Sequence, residues 1–224
     1  INSKEIKKND IFFAIKGKNK DGNKFVSEAL NKGASLAIVN KKSKKKYLCK
    51  QIKVKNSLNF LTRMSKIIRM NSFSKIIAIT GSCGKTSLKE LLKMTLNNFG
   101  KTFSSPKSFN NKYGVPLSIF NLNIDHDYGI FEVGMDKRGE IDSLSKIIKP
   151  DIGIITNISY AHAKNFKNIK QIAIAKSEII NNINEDGFVV LNADDKFFYF
   201  HKKIAIKRKL NILSFGMKKN ANVK

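Results

Sequence analysis

The chain has 224 residues, enough for one large domain or two modest ones, and its 42% hydrophobic content can supply a globular core. Two cysteines, Cys49 and Cys83, make no disulfide framework, and no apolar run approaches the roughly 18 residues of a membrane span; a cytoplasmic, reducing setting without a membrane span is expected. The formal net charge of +26 raises nucleic acid as a partner, but the positive residues are nearly all lysines, scattered among many Asn and Ile residues with no recognition motif, so no nucleic-acid partner is expected and the basic surface suits acidic substrates.

Residues 1–72 read as a small N-terminal α/β domain. Asp10–Ile15 is a short buried strand, followed by the loop Lys16–Gly22 with its two glycine turn signals. Lys24–Lys32 carries Phe25, Val26, Ala29 and Leu30 at helical spacing, Gly33 ends that helix, and Leu36–Val39 is the next strand. The run Lys41-Lys42-Ser43-Lys44-Lys45-Lys46 reads as a solvated loop. Ser57–Met70 is helical, with Leu58, Leu61, Met64, Ile67 and Ile68 on one face, and the polar break Asn71–Ser74 marks the domain boundary.

Residues 73–224 alternate strands and helices, the pattern of a mostly parallel sheet. The apolar run Ile76–Ile79 feeds Thr80-Gly81-Ser82-Cys83-Gly84-Lys85-Thr86, and Leu88, Leu91, Leu92, Thr95, Leu96 and Phe99 then recur at helical spacing. Strand, glycine loop and helix start in that order make a phosphate cradle: Gly81 and Gly84 let backbone N–H groups approach an anion, and the helix N-terminus adds its positive end. Lys85 can reach terminal phosphates and the Thr86 hydroxyl can ligate Mg²⁺, so a nucleoside triphosphate is the expected ligand. The loop is shorter than the common form, with Ile79 where the first glycine would stand.

Further along come a strand at Asp127–Gly134, a helix at Ile141–Lys149, a strand at Ile152–Asn157, a helix from about Ile169 to Asn182, and strands at Gly187–Asn192 and Asn211–Phe215. Ligands of open α/β sheets sit beyond the carboxyl ends of strands. Glu132, then Thr156, Asn157 and His162, then Asn192, Asp194 and Asp195 fall at such ends, and their hard oxygen donors and one imidazole suit a Mg²⁺ site. Taken singly, Asp194 and Asp195 also read as helix caps and His162 as a loop residue. Lys176, in an otherwise apolar helix, either snorkels outward or is placed for chemistry.

Together these stretches resemble the Mur ligases of peptidoglycan synthesis. The resemblance runs in order from residue 1 to about 195, through Asp10–Gly17 with Asp21-Gly22, Thr80–Thr86, Phe109–Leu117, Glu132–Met135 with Gly139–Ile141, Pro150-Asp151, Thr156–Ile158, Ala161-His162, Ala175-Lys176 and Leu191–Asp195. The Asn110-Asn111-x-x-Gly114-x-Pro116 and Glu132-x-Gly134-Met135 blocks resemble the branch that adds D-alanyl-D-alanine more than the one that forms the tripeptide. A sister ligase adding another amino acid, or a phosphate-loop ATPase without ligase activity, is the alternative.

The resemblance implies an N-terminal UDP-sugar domain and a central ATP domain, with ATP and Mg²⁺ as cofactors and UDP-MurNAc-tripeptide and D-alanyl-D-alanine as substrates. It implies that Gly81, Ser82, Cys83, Gly84, Lys85 and Thr86 cradle the phosphates, with Asn110 and Asn111 close by and Asn192 and Asp194 near the nucleoside. Thr86 and Glu132 are implied ligands of a first Mg²⁺, His162 of a second, and Lys176 matches a lysine that carries CO₂ as a carbamate and so becomes an anionic metal ligand; Lys85, Lys176 and His162 are the implied catalytic groups. Ser3, Lys4, Lys16, Gly17, Asp21 and Gly22 are implied in the UDP-sugar site. Two departures stand out: Ser3-Lys4 replaces Ser-Arg, losing the planar fork, and Ala161–Lys167 lacks the family's glutamate after the histidine. By the family's plan the chain stops inside the central domain, so a C-terminally truncated, incomplete ATP domain is expected, and a monomer.

Overall fold

The computed structural model describes residues 1–17, 19–42, 45–160, 165–217 and 221–224. The chain forms two compact units, Ile1–Met64 and Ser65–Lys224.

The first unit is built on a three-stranded parallel sheet of β1 (Ile11–Phe13), β2 (Leu36–Val39) and β3 (Gln51–Lys53), in that order. The 3₁₀ turn Gly22–Phe25 leads into α1 (Val26–Asn31). Val26, Ala29 and Leu30 on one side of this short helix bury against Phe12, Ala14, Ala37 and Val39. The next helix, α2 (Ser57–Met70), begins in this unit, with the Ser57 hydroxyl donating to Asn40 Oδ1 at 3.0 Å. Of the expected lysine run, Lys41 and Lys42 are exposed, whereas Ser43 and Lys44 lie outside the described residues.

The second unit holds a six-stranded sheet. Its strands are β4 (Lys75–Thr80), β5 (Thr102–Ser104), β6 (Tyr128–Glu132), β7 (Ile152–Ile155), β8 (Phe188–Asn192) and β9 (Asn211–Phe215), in the order β5-β6-β4-β7-β8-β9. Every pairing is parallel. Alternation along β4 divides the core in two. Ile77 and Ile79 pack with Ile130 and Ile154 under Leu88, Leu92 and Leu96 of α3 (Lys85–Leu96). Ile76 and Ala78 face the larger cluster, built from α4 (Gly114–Phe120), α5 (Glu140–Ile148), α6 (Ile169–Ser177) and α7 (Phe198–Lys207).

The α3 stripe is narrower than the spacing predicts. The helix ends at Leu96, Phe99 lies beyond it, and Leu91 is 60% exposed, so of the leucines expected on this face Leu88, Leu92 and Leu96 pack on the sheet. Among the described residues no helix is long and apolar enough to cross a membrane.

The topology fixes where a ligand can sit. From β4 the chain runs out to β5 and returns to β6, then crosses to β7, β8 and β9 on the other side. Strand order therefore reverses at β4, and the crevice beyond its carboxyl end is the switch point at which open parallel sheets bind ligands.

Candidate functional site

Four loops meet beyond the carboxyl ends of β4, β6, β7 and β8, because the register aligns those ends: Ile79 pairs with Glu132, Thr80 with Ile155, and Ile155 with Leu191. Two glycines shape the loop after β4 for different reasons. A Cβ on Gly81, whose φ is +153°, would stand 1.8 Å from Thr156 Oγ1, so this position requires the close approach only glycine allows. Gly84 meets nothing nearby, but its φ of +80° turns the chain into α3 as the N-cap.

The loop after β7 laces this turn in place. Ser82 N–H donates to the Asn157 carbonyl (2.9 Å) and Cys83 N–H to Asn157 Oδ1 (3.0 Å), while Thr156 Oγ1 donates to the Cys83 carbonyl (2.7 Å). Ser82 Oγ donates to the Ser159 carbonyl at 3.0 Å and accepts from Ser159 N–H at 2.8 Å.

Two ammonium groups converge on one atom of this loop. Lys85 Nζ donates to the Gly81 carbonyl at 2.9 Å, and Lys176 Nζ, from α6, donates to the same oxygen at 2.8 Å. Lys176 is 3% exposed, so of its two readings the outward one is excluded. Burial, and next the charge of Lys85, push its pKa down to about 7, with Cys83 opposing weakly. A largely apolar helix has thus delivered an amine that is partly neutral near neutral pH.

The other wall is acidic. Glu132, at the end of β6, is 2% exposed and accepts from Thr86 Oγ1 at 2.7 Å and from Asn110 Nδ2 at 2.8 Å. A hydroxyl and a carboxylate this close at a phosphate loop are hard oxygen donors, and their chemistry fits Mg²⁺. Among the described residues no group of three or more His, Cys, Asp or Glu could hold a metal ion.

The remaining expected residues are placed as follows. Asn111 does not share the neighbouring Glu132 contact: its Oδ1 accepts from Tyr113 and Gly114 N–H at 3.0 and 3.1 Å and caps the start of α4. Asn192 Nδ2 donates to the Thr156 carbonyl (3.3 Å), tying the β8 end to the β7 loop, and its Oδ1 accepts from Asp194 N–H (2.9 Å). Asp194 Oδ2 accepts from Met217 N–H (2.8 Å) beyond β9. Asp195 caps the turn before α7 through Phe197 N–H (2.8 Å) and takes Ile158 N–H (2.7 Å). His162 lies outside the described residues.

In the first unit, Lys16 to Gly22 close a single turn: Lys16 bridges Asp21, Gly17 N–H donates to the Lys20 carbonyl and Gly22 N–H to that of Ile15. Lys18 within it is not among the described residues. Asp21 Oδ1 caps the following 3₁₀ turn through Asn23 N–H at 2.9 Å. Ser3 is buried and its hydroxyl donates to Glu28 Oε2 at 3.0 Å, whereas Lys4 is exposed.

In the second unit, a buried cation beside the phosphate loop escaped the sequence reading. Lys89 lies between Leu88 and Leu92 on the apolar stripe of α3, a position at which a lysine is itself a signal.

The Mur ligase middle-domain family matches residues 79–224, and the family described as "Mur ligase family, catalytic domain" matches residues 1–75. The chain belongs to the Mur ligase family. It is 41% identical, over its whole length, to the UDP-N-acetylmuramoyl-tripeptide–D-alanyl-D-alanine ligase of Rickettsia prowazekii, covering 50% of that protein. Among solved structures, MurF from Acinetobacter baumannii superposes with a TM-score of 0.86 at 32% identity, over 99% of this chain and 47% of that one. MurF ligase from Thermotoga maritima, solved in complex with ADP, gives 0.79 at 32% identity, over 96% and 49%. The chain thus spans about half the length of the Mur ligases it matches. The mixed α/β architecture expected from the sequence is that of these neighbours.

Proposed function

We propose that this chain is the nucleotide-handling portion of an ATP-dependent ligase that joins D-alanyl-D-alanine to UDP-MurNAc-tripeptide in peptidoglycan synthesis. The carrying observation is the convergence of Lys85 and Lys176 on the Gly81 carbonyl beside the Thr86–Glu132 pair, at the switch point of the sheet. In the overall reaction the tripeptide carboxylate oxygen attacks the terminal phosphorus of ATP and ADP leaves. The dipeptide amine then attacks the acyl carbon of the resulting acyl phosphate, expelling phosphate and losing a proton.

The chain's own residues supply binding and charge. The N–H groups from Gly81 to Thr86 cradle the phosphates, and Lys85 leaves the Gly81 carbonyl for the terminal phosphate oxygens, where its charge offsets what develops on transfer. Thr86 and Glu132 would hold Mg²⁺, which would supply neutralisation of phosphate charge. Asn110, hydrogen-bonded to Glu132, keeps that carboxylate aimed, and Asn111 fixes the loop by capping α4. Asn192 and Asp194 border the nucleoside end through the loops they brace. Lys176, its amine partly neutral near pH 7, is suited to take up CO₂ as a carbamate, and with His162 would hold a second Mg²⁺. In the N-terminal domain, 1–72, the Lys16–Gly22 turn with Ser3 and Lys4 receives the UDP-sugar; the ATP domain is 73–224.

Calorimetry with ATP·Mg²⁺ and, separately, UDP-MurNAc-tripeptide tests this reading. Both are expected to bind, with ATP binding strongly weakened in Lys85→Ala. ATP binding without affinity for the nucleotide sugar would favour a phosphate-loop ATPase instead. Intact mass under bicarbonate reads the carbamate: an unmodified Lys176 at high bicarbonate would exclude it.

A further inference from the structure

Lys89 has no part in the reading above, yet its side chain is 0% exposed. Its ammonium donates to the Ser105 carbonyl at 2.7 Å and the Lys107 carbonyl at 2.5 Å, and lies 3.1 Å from Glu90 Oε1, a half-exposed carboxylate. Two of its N–H donors therefore have carbonyl acceptors, and the neighbouring carboxylate offsets its charge. Burying an ammonium is costly even when it is paired, and an apolar side chain of similar length would fill the same space. What the ammonium adds is a grip on the 105–107 backbone, where Lys107 is held at φ +49°, a conformation non-glycine residues rarely adopt.

That segment leads directly into the acidic wall. Phe109 N–H donates to the Pro106 carbonyl and Asn110 N–H to that of Ser108, at 3.1 and 2.8 Å, which winds the loop towards β6. Its far end is held by Glu132 through Asn110 Nδ2 and by Gly134 N–H, which donates to the Asn110 carbonyl at 2.8 Å. Ser105 Oγ at the near end accepts from Glu132 N–H at 3.3 Å. Lys89 therefore holds one end of a short loop whose other end is bonded to the proposed metal-binding carboxylate, and it does so from the helix that carries Lys85 and Thr86.

We infer that Lys89 is a positioning residue of the phosphate site: by clamping the Ser105 and Lys107 carbonyls it fixes the loop that sets Asn110, and through it Glu132, against Thr86. It touches no reacting atom and acts through the loop. The inference rests on the nucleotide reading proposed above.

Two readouts on the 224-residue chain test it. The first uses no nucleotide: amide hydrogen exchange at Asn110 and Gly134 is expected to quicken about tenfold or more in Lys89→Met, with the amides of β8 and β9 unchanged. The second is a double-mutant cycle read by ATP·Mg²⁺ calorimetry. Lys89→Met should weaken binding about tenfold, and Asn110→Ala should cost little further in the Lys89→Met background, because both act through one loop. Additive effects of the two substitutions, or unchanged affinity and exchange in a folded Lys89→Met, would overturn the inference while leaving the nucleotide site standing. Failure of the unsubstituted chain to bind ATP·Mg²⁺ would overturn both. If Lys89→Met does not fold, Lys89→Gln, whose amide stops short of the ammonium position, takes its place under the same criteria.

Discussion

The carboxyl ends of β4 and β8 occupy comparable places in one parallel sheet, yet their polar groups are used differently. Beyond β8, the carboxylates of Asp194 and Asp195 accept from backbone N–H groups of Met217, Ile158 and Phe197, so each oxygen named here braces a loop. Beyond β4, two lysine side chains converge on the Gly81 carbonyl, with the Ser82 carbonyl as a longer second acceptor for Lys85 at 3.4 Å. The first arrangement pairs carboxylates with N–H donors; the second sets two basic groups against neutral carbonyls, a charge deficit that an incoming anion would fill. A polar residue at a strand end is thus a weak signal of chemistry until its partners are known. The discriminating feature is charge that the fold leaves incompletely matched.

Substitutions can break this contrast or sharpen it. The largest effect is expected from Lys85→Ala, which should weaken ATP·Mg²⁺ binding by about 100-fold, or about 3 kcal/mol, in calorimetry, with the circular dichroism spectrum preserved. Undiminished affinity would place the deficit elsewhere. Next comes Glu132→Gln. Its carboxylate accepts two donors, from Thr86 and Asn110, and an amide must turn its NH₂ towards one of them. About 2 kcal/mol of stability should be lost in urea unfolding, and the Mg²⁺ dependence of ATP binding should disappear.

Lys176 sharpens the contrast through pH. Its folded pKa of about 7 lies below the ordinary 10.5, so between these values the unfolded chain binds more protons than the folded one. Stability should therefore rise with pH across the window from 7 to 10.5, by at most about 1.4 kcal/mol per pH unit, and below pH 7 the full cost of the buried charge remains. Measured by denaturant titration without bicarbonate, that slope should be absent from Lys176→Met; an unchanged slope would assign it to other groups. The smallest effect on binding is expected at the satisfied end. Asp194→Asn should change ATP affinity by less than about threefold while lowering stability by about 1 kcal/mol, through the weakened Met217 contact. A larger loss of affinity would mean that Asp194 meets the nucleoside directly.

Much of this was legible in the sequence where a strong period coincided with clear punctuation. Leu36–Val39, Ser57–Met70 and Asn211–Phe215 have the expected bounds, and the step from β4 through the glycine turn into α3 is where the motif placed it. Of the helices and strands absent from that reading, α7 (Phe198–Lys207) is ten residues long, but its buried face runs through His201 as well as Phe198 and Ala205, and the others are short or disguised. β3 and β5 have three residues each, too few to display a period of two. The seven-residue α4 opens with Gly114 and carries Pro116 in its first turn, tolerated there because those N–H groups have no intrahelical acceptor, but too short and too rich in breakers to announce a helix in sequence. The same logic divides the site. Lys85, Thr86 and Glu132 could be found from strand ends and motif, whereas Lys89 acts on carbonyls 16 and 18 residues away, a contact that no local spacing announces.

The lacing of the glycine turn bears on how this chain folds. Ser82 and Ser159 exchange two hydrogen bonds across 77 residues, and β4 gains its second neighbour only with β7. A segment contiguous in sequence is therefore locked by a partner synthesised long after it. On a ribosome, where about 5–20 residues emerge each second, the turn would wait some seconds for that partner. Until then the β-branched run of β4 keeps an unpaired edge, the kind of transient exposure that makes parallel sheets slow to fold and prone to associate wrongly.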